Sequence, residues 1–165
     1  MILNKLSKNF INNLLLILLI FLIDRFSKIY VIHQDKNFPG SEIFSSKFLN
    51  ISLIWNEGIA FGLFSFDDTK LYNILSIFIL IIIFVIIFMI SKSVGLKKLA
   101  LLMILGGALG NFFDRLVYKA VPDFIDFHIG NFHWFIFNVS DIFITIGIIF
   151  MIISEIIQKP RNGYE

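Results

Sequence analysis

Apolar residues run along this chain in four long stretches, and segments that mix polar and aromatic residues separate them. Each stretch is long enough to cross a membrane, which takes about 20 mostly apolar residues in a helix. Helices are expected because a strand with an open edge would leave backbone groups unsatisfied in lipid. The predicted spans are residues 10–33, 71–90, 99–118 and 134–157.

The two segments predicted to face outward, residues 34–67 and 116–133, have strand-like patterns. The stretch FLNISLIW at 48–55 is rich in β-branched and aromatic residues and predicts a strand. The dipeptide Gly130-Asn131 is typical of a two-residue hairpin turn, which would place His128 opposite His133.

The composition agrees with a membrane protein. Hydrophobic residues make up 58% of the chain and charged residues 16%, which is more apolar and less charged than an average soluble domain. The net charge of +2 gives no support to nucleic-acid binding, and the absence of cysteine excludes disulfides and thiol chemistry. The predicted fold is an all-α membrane protein with four transmembrane helices and a small extracytoplasmic β-rich platform. It forms a single domain over residues 1–165.

Positive charges favour one orientation of the four spans. An even number of spans places both termini on one side, which is predicted to be cytoplasmic because it carries the excess of lysine and arginine. The first span starts as a signal peptide does, but no small-residue cleavage site follows, so we expect it to be retained. The cytoplasmic charges would be Lys5, Lys8, Lys92, Lys97, Lys98, Lys159 and Arg161, and the outer ones Lys36, Lys47, Lys70 and Lys119.

The polar residues of the spans gather near their predicted outer ends, with spacings that place them on shared helix faces. Ionisable groups inside a membrane are candidates for function by default. The pairs are Asp24 with Lys28, Asn111 with Arg115, and Asn138 with Asp141, and the outer loops add Asn56, Asp123 and Asp126. Gly106, Gly107 and Gly110 would let a neighbouring backbone approach the third span closely.

Two neighbouring aspartates offer a simple hydrolytic chemistry. Like charges about 3 Å apart do not both ionise, so one carboxyl keeps a proton while the other acts as a base toward water. Asp141 is one member, at the mouth of the fourth span. Spacing alone leaves its partner open among Asp123, Asp126 and Asp114.

Three other functions are weighed against hydrolysis. His128 and His133 are candidate metal ligands, but a third ligand with firm spacing is missing, so interfacial polar residues are the favoured interpretation. A small transporter or proton-conducting protein would need polar residues through the membrane, and the inner half of the second span has almost none. A non-catalytic membrane scaffold would leave the clustering of asparagine, arginine and aspartate unexplained.

Five blocks in this sequence, in this order, resemble the lipoprotein signal peptidases, also called type II signal peptidases. Their order, their approximate spacing and the frame of four spans agree with that family over most of the chain. The blocks are D-R-F-S-K (24–28), N-E-G-I-A-F-G (56–62), G-G-A-L-G-N-F-F-D-R (106–115), V-P-D-F (121–124) and F-N-V-S-D (137–141).

The resemblance implies an aspartic endopeptidase whose catalytic pair is Asp123 and Asp141. In this interpretation Asp126 is a loop residue, Asp114 is a local ion-pair or packing partner next to Arg115, and Arg115 has a structural and substrate-positioning role. The positions that would support the site or bind substrate are Asp24, Lys28, Asn56, Gly58, Asn111, Asp114, Arg115 and Asn138.

The implied substrate is a bacterial prolipoprotein whose lipobox cysteine already carries diacylglycerol. Cleavage would fall on the amino side of that cysteine and release the signal peptide. The resemblance implies no metal and no organic cofactor, and inhibition by the cyclic peptide globomycin. The expected partners are this substrate and membrane lipids. We expect a multi-pass monomer in the bacterial plasma membrane, with both termini cytoplasmic and the active site on the outer side.

One position departs from the family pattern. The family usually has glycine in the turn R-L-x-x-G-x-V, where this chain has Lys119 in RLVYKAV. If that residue has a positive φ, lysine costs some strain or shifts the turn, and the pose of Asp123 changes with it. Ser140 in place of the more frequent alanine is expected to matter little.

Overall fold

A computed structural model of the chain describes residues 2–58 and 69–158, with side chains for 9–58 and 72–157. Residues 59–62 of the N-E-G-I-A-F-G block and the side chains of Lys5, Lys8, Lys70, Lys159 and Arg161 lie outside the described part. The elements are α1 (Ile2–Asn37), β1 (Phe44–Ser45), β2 (Leu49–Asn56), α2 (Thr69–Lys92), α3 (Gly95–Tyr118), β3 (Val121–Ile129), β4 (Phe132–Phe137) and α4 (Val139–Gln158).

Three helices in the described residues are long and apolar enough to cross a membrane: Tyr72–Lys92, Gly95–Tyr118 and Val139–Ile157. They match three of the four predicted spans. The predicted span 10–33 is helical throughout, within α1, but α1 is not among these three. A first crossing by α1 therefore stays a prediction.

Helix α3 is the centre of the helical part. In the most apolar stretch of α3 half of the residues are buried, whereas the fraction is 11% in α2 and 17% in α4. Helix α3 also packs against all three other helices. An aliphatic core of Ile83, Ile86, Leu101 and Leu105 joins α2 to α3. The other faces of α2 and α4 carry large apolar side chains that point away from the protein, as lipid-facing surfaces do.

Glycines in α3 allow the close packing that the sequence predicts. A Cβ at Gly107 would lie 2.5 Å from the backbone oxygen of Ser140 in α4, and a Cβ at Gly110 would lie 2.6 Å from an Asp24 carboxylate oxygen in α1. At Gly107 the neighbouring atom is backbone, so a larger residue there would force α3 and α4 apart. The predicted close approach at the third span is confirmed, and it comes from both α1 and α4.

The strands form one antiparallel sheet in the order β1-β2-β3-β4. The predicted strand at 48–55 corresponds to β2, and the predicted hairpin is present with His128 paired to His133. Gly130 in its turn has φ +60°, a conformation that glycine adopts at low cost.

The predicted start of the fourth span is wrong. Residues 134–137 belong to β4, and α4 begins only at Val139. The stretch FHWFIF is apolar enough to continue a span, but it pairs with β3 instead. Apolar content alone does not distinguish a strand from a helix over so few residues.

Lys119 ends α3 in the left-handed conformation, with φ 61° and ψ 14°. This is the position of the helix C-terminus where glycine is usual, because a Cβ is disfavoured there. Lys119 therefore has the positive φ at which any residue other than glycine is strained. Val121 begins β3 two residues later, so Lys119 sets the direction in which that strand leaves the helix.

We predict that Lys119→Gly stabilises the protein by up to about 1 kcal/mol, because relief of the left-handed strain exceeds the added entropy of glycine in the unfolded chain. Lys119→Ala is the matched control, since it removes the charge but keeps the Cβ. Thermal unfolding in detergent micelles measures both. A glycine variant no more stable than the alanine variant would contradict the strain.

We predict that Gly107→Ala destabilises the protein by about 1–3 kcal/mol, because the new Cβ meets backbone, which no rotamer change can move away. Val117→Ala, at an outward-facing position of the same helix, is the control and should change stability little. Unfolding midpoints of the two variants give the comparison. Equal midpoints would show that α3 and α4 separate without cost.

Candidate active site

The candidate residues meet where the sheet joins the helices. Asn56 ends β2, Asp123 lies in β3, Asn111 lies near the end of α3, and Asn138 and Asp141 start α4. Four elements from distant parts of the chain thus supply one cluster.

Asp123 is almost fully buried and accepts a hydrogen bond on each carboxylate oxygen. The side-chain amide of Asn56 donates to one oxygen at 2.9 Å, and that of Asn138 donates to the other at 2.6 Å. Only 4% of Asp123 is exposed, so these amides and not bulk water solvate the carboxylate.

Asp141 is held by the helix that it starts. Its carboxylate accepts the Asn138 backbone N–H at 3.1 Å, and the Asn138 side-chain oxygen accepts the Asp141 N–H at 3.2 Å. This reciprocal pair is a capping box, which by itself accounts for an aspartate at this position. The other oxygen of Asp141 accepts from the side chain of Asn111 at 2.8 Å.

Asn138 contacts both aspartates. Because the Asp141 backbone N–H is only a donor, the Asn138 oxygen must face it, and the NH2 group is left to face Asp123. Asn138 is completely buried, so this orientation is enforced. Asp123 is thus the only one of the three candidate partners that shares a hydrogen-bonding residue with Asp141 within the described contacts.

The other two asparagines are oriented by the same rule. The Asn111 oxygen accepts from the Lys28 ammonium at 2.8 Å, and the Asn56 oxygen accepts from the Gly58 N–H at 3.0 Å. Each NH2 group is therefore directed to a carboxylate: Asn111 to Asp141 and Asn56 to Asp123. Three amides favour the charged forms of two carboxylates that burial disfavours.

The pKa of Asp123 is raised from its ordinary value of 3.8 to about 6. Burial is the largest cause and the negative charge of Asp141 the next, while the hydrogen bonds from Asn56 and Asn138 offset part of the rise. This pKa lies much closer to neutral pH than that of an ordinary aspartate, which suits a group that acts as acid or base.

A buried cluster of two cations and two carboxylates, contributed by α1 and α3, lies next to the site of Asp123 and Asp141. The Lys28 ammonium contacts Asp114 at 2.6 Å, Asn111 at 2.8 Å and Asp24 at 3.0 Å, so its three donors are all used. Arg25 contacts Asp114 at 2.6 Å and Asp24 at 3.1 Å. The charges balance, as buried charges must.

This cluster reaches Asp141 by two routes. Lys28 fixes the Asn111 amide that donates to Asp141, and an Asp24 oxygen accepts the Ser140 backbone N–H at 3.0 Å. Asp24 thereby holds the first turn of α4 against α1.

Several predicted contacts differ in the structure. Asp114 is an ion-pair partner, as expected, but its partners are Lys28 and Arg25 and not the neighbouring Arg115. The prediction that Asp126 is a loop residue is wrong, because Asp126 lies in β3 and pairs with His133 at 2.8 Å. The Arg115 guanidinium donates to the backbone oxygens of Gly58 at 3.1 Å and Asn111 at 3.3 Å. These Arg115 contacts fix the end of β2 to α3.

Two residues were not singled out as site candidates in the sequence. Arg25 completes the buried cluster and lies over the ring of Phe113 at 5.0 Å, and Ser140 provides the N–H that Asp24 accepts. Arg25 could have been identified from the sequence, because an arginine inside a predicted membrane span is a candidate for function. No pattern marks Ser140, because it acts through its backbone.

A groove of about 540 Å³ runs from Asp141 along α4 to the β3–β4 hairpin. Apart from Asp141, His128 and Thr145, its lining is apolar, with Phe127, Trp134, Phe137, Ile142 and Ile146 among the lining residues. The groove would therefore accept a long apolar group beside a carboxylate.

Comparison with known proteins gives a consistent result. The model of the family described as signal peptidase (SPase) II matches residues 16–157. The lipoprotein signal peptidase of Pelagibacter ubique (strain HTCC1062) is 50% identical over 163 residues, which cover 98% of each chain. That of Francisella tularensis subsp. novicida (strain U112) is 40% identical, over 90% of this chain and 93% of the relative.

Solved structures agree with the sequence relatives. A bacterial membrane enzyme determined by the in meso method at 2.3 Å resolution superposes with a TM-score of 0.75 and 28% identity. The match covers 93% of each chain. A second bacterial membrane enzyme, determined at 1.9 Å resolution, superposes with a TM-score of 0.70.

The raised pKa of Asp123 makes the stability of the fold depend on pH. Between pH 3.8 and about 6 the folded state holds a proton on Asp123 that the unfolded state releases. The stabilising contribution is therefore complete below this window and is lost as the pH rises through it. We expect the unfolding free energy to fall by roughly 1–3 kcal/mol across the window.

Asp123→Asn should flatten this fall, because the variant has no group to titrate there. Asp35→Asn is the control, since Asp35 binds the Gly40 N–H at the end of α1. Denaturant unfolding at pH 4 to 7 gives the slopes. An Asp123→Asn slope equal to that of the unmodified protein would rule out the raised pKa.

Proposed function

Because this chain belongs to the signal peptidase II family, whose members process lipoproteins, we propose that it is an aspartic endopeptidase with Asp123 and Asp141 as its catalytic pair. The single observation that carries the proposal is that Asn138 binds both the buried carboxylate of Asp123 and the half-buried carboxylate of Asp141. A capping role explains Asp141, but it does not explain why Asp123 is buried beside it.

The pair provides the two functions that peptide hydrolysis needs. The ionised carboxylate removes a proton from water as the water oxygen attacks the scissile carbonyl carbon. The protonated carboxyl donates to the carbonyl oxygen and stabilises the tetrahedral intermediate. As the intermediate collapses and the C–N bond breaks, the leaving amine takes up the proton that the base removed from water. The other carboxylate takes back the proton that it gave to the carbonyl oxygen.

In the resting pair one carboxyl would hold a proton and the other would be ionised. Burial and the charge of Asp141 raise the pKa of Asp123, which favours retention of a proton within the pair. The two groups titrate together, so their apparent pKa values belong to the pair.

The remaining candidate residues hold the pair in place. Asn56, Asn111 and Asn138 donate to the carboxylates. Asp24, Lys28 and Asp114 position Asn111 and the first turn of α4 through the buried charge cluster. Arg115 and Gly58 fix the end of β2, and with it Asn56.

The proposed substrate is a bacterial prolipoprotein with diacylglycerol on its lipobox cysteine, cleaved on the amino side of that cysteine. The apolar groove beside Asp141 supports a substrate with long apolar groups. Lateral movement from the membrane would bring the lipidated cysteine to the pair without exposing its acyl chains to water.

The proposed location is the bacterial plasma membrane, with the sheet on the outer side. Helix α3 has 24 residues and is about 36 Å long, enough to cross the hydrocarbon core. Its start lies near Lys92, Lys97 and Lys98, and its end leads into β3. The positive-inside rule then places those lysines and both termini in the cytoplasm and the aspartates outside. The proposed oligomeric state is a monomer.

Substitution of either aspartate by asparagine tests the proposal. We expect Asp123→Asn and Asp141→Asn each to reduce cleavage by about 10⁴-fold or more, because neither acid nor base can be supplied by an amide. The assay is cleavage of a diacylglyceryl-prolipoprotein by purified protein in defined lipid membranes. Asp35→Asn is the matched control and should cleave normally.

Thermal unfolding and size-exclusion profiles establish that the inactive variants are folded. Cleavage by the unmodified protein should persist in a metal chelator and stop with globomycin. Near-normal cleavage by either folded asparagine variant would refute the pair, and chelator inactivation reversed by Zn²⁺ would show that cleavage depends on a metal.

A further inference from the structure

Three metal-ligating side chains meet in the β3–β4 hairpin, outside the aspartate pair. His128 and His133 are directly paired across the strands, and their rings stack at 5.1 Å with planes 9° apart. Asp126 is paired with Ile136 in the same two strands. Between this pair and the histidine pair, β3 advances by two residues and β4 by three, which is a shift in register. With this shift in register, the carboxylate of Asp126 lies 2.8 Å from His133 Nδ1.

The geometry is close to that of a metal site. One ligand atom from each of Asp126, His128 and His133 lies within 4.8 Å of the others. An ion about 2.0–2.2 Å from each donor needs them roughly 3–4 Å apart, so only a small closure is required. His133 is half exposed and lies in the strand that follows the hairpin turn, where such a movement is easy.

Two buried polar atoms at this place have no hydrogen-bond partner among the described residues. They are the second carboxylate oxygen of Asp126 and Nδ1 of His128. Asp126 is only 6% exposed, and buried polar atoms in proteins nearly always have a partner. A bound cation would satisfy the carboxylate that His133 only partly satisfies.

We propose that Asp126, His128 and His133 bind a divalent transition-metal ion of the Zn²⁺ type. Two imidazole nitrogens and one carboxylate oxygen suit such an ion better than Ca²⁺ or Mg²⁺, which prefer all-oxygen ligands. The fourth coordination position of the ion would be open to water. The sequence argument against the histidines was the missing third ligand, and the fold supplies it as Asp126.

The ion would act as a clamp on the hairpin and take no part in peptide hydrolysis. It would join β4 to β3, the strand that also carries Asp123, and His128 is one of the residues that line the apolar groove. Binding to the folded state alone would stabilise it, because the unfolded chain does not hold these ligands together.

The test uses the full chain without a polyhistidine tag, purified in detergent micelles and freed of metal with a chelator. Zn²⁺ is titrated by calorimetry and its effect on thermal unfolding is measured. Co²⁺ absorption reports nitrogen ligation independently. We expect one equivalent of Zn²⁺ to bind and to raise the unfolding temperature.

His133→Gln and Asp126→Asn should each weaken Zn²⁺ binding by about 10- to 100-fold and alter the Co²⁺ spectrum. His33→Gln is the matched control, since His33 lies in α1 beside Asn37, and it should bind as the unmodified protein does. Circular dichroism and size exclusion confirm folding of each variant.

Absence of stoichiometric binding to the unmodified protein would overturn the proposal. So would equal affinities for His133→Gln and His33→Gln, which would indicate binding elsewhere on the surface. Either result leaves the aspartate pair untouched, because the cleavage assay is independent of added metal.

Discussion

The buried side chain of Asn138 is the contact on which the rest of the site depends. Its oxygen is fixed by the Asp141 backbone N–H, its NH2 group is thereby directed at Asp123, and its own backbone N–H binds Asp141. One residue thus starts α4, orients the first aspartate and joins it to the second. Because Asn138 is completely buried, water cannot substitute for a lost bond, and the unsatisfied group would carry the full desolvation cost.

The buried charges of α1 and α3 extend this arrangement into the helices. A balanced cluster of Asp24, Arg25, Lys28 and Asp114 is weak support for stability, because desolvation offsets much of the attraction. Its value is geometric. Lys28 orients Asn111 and Asp24 holds the Ser140 N–H, so the position of Asp141 is set from α1 and α3 as well as from its own helix. The glycines of α3 make this possible, since larger residues would separate α3 from both neighbours.

Prediction from sequence succeeded where one local property decides the outcome. Hydrophobic length identified the helices of residues 71–90 and 99–118, and turn chemistry identified the hairpin at Gly130. It failed where two structures have the same composition: residues 134–137 are as apolar as a span but complete a sheet. It also passed over Arg25 and paired Asp114 with its sequence neighbour, because the partners of a buried charge are chosen by helix packing and not by spacing.

The sequence by itself determined that the chain has membrane-length helices, a small sheet and a set of polar residues too costly to bury without partners. Through its five motifs it also pointed to Asp123 and Asp141. Only the tertiary structure decided which polar groups meet, because Asn56, Asn111, Asp123 and Asn138 come from segments far apart in the chain. The same is true of Asp126 and His133, which a shift in strand register brings together. Spacing along a chain reports which side chains share a face, whereas the distance between faces is set by packing.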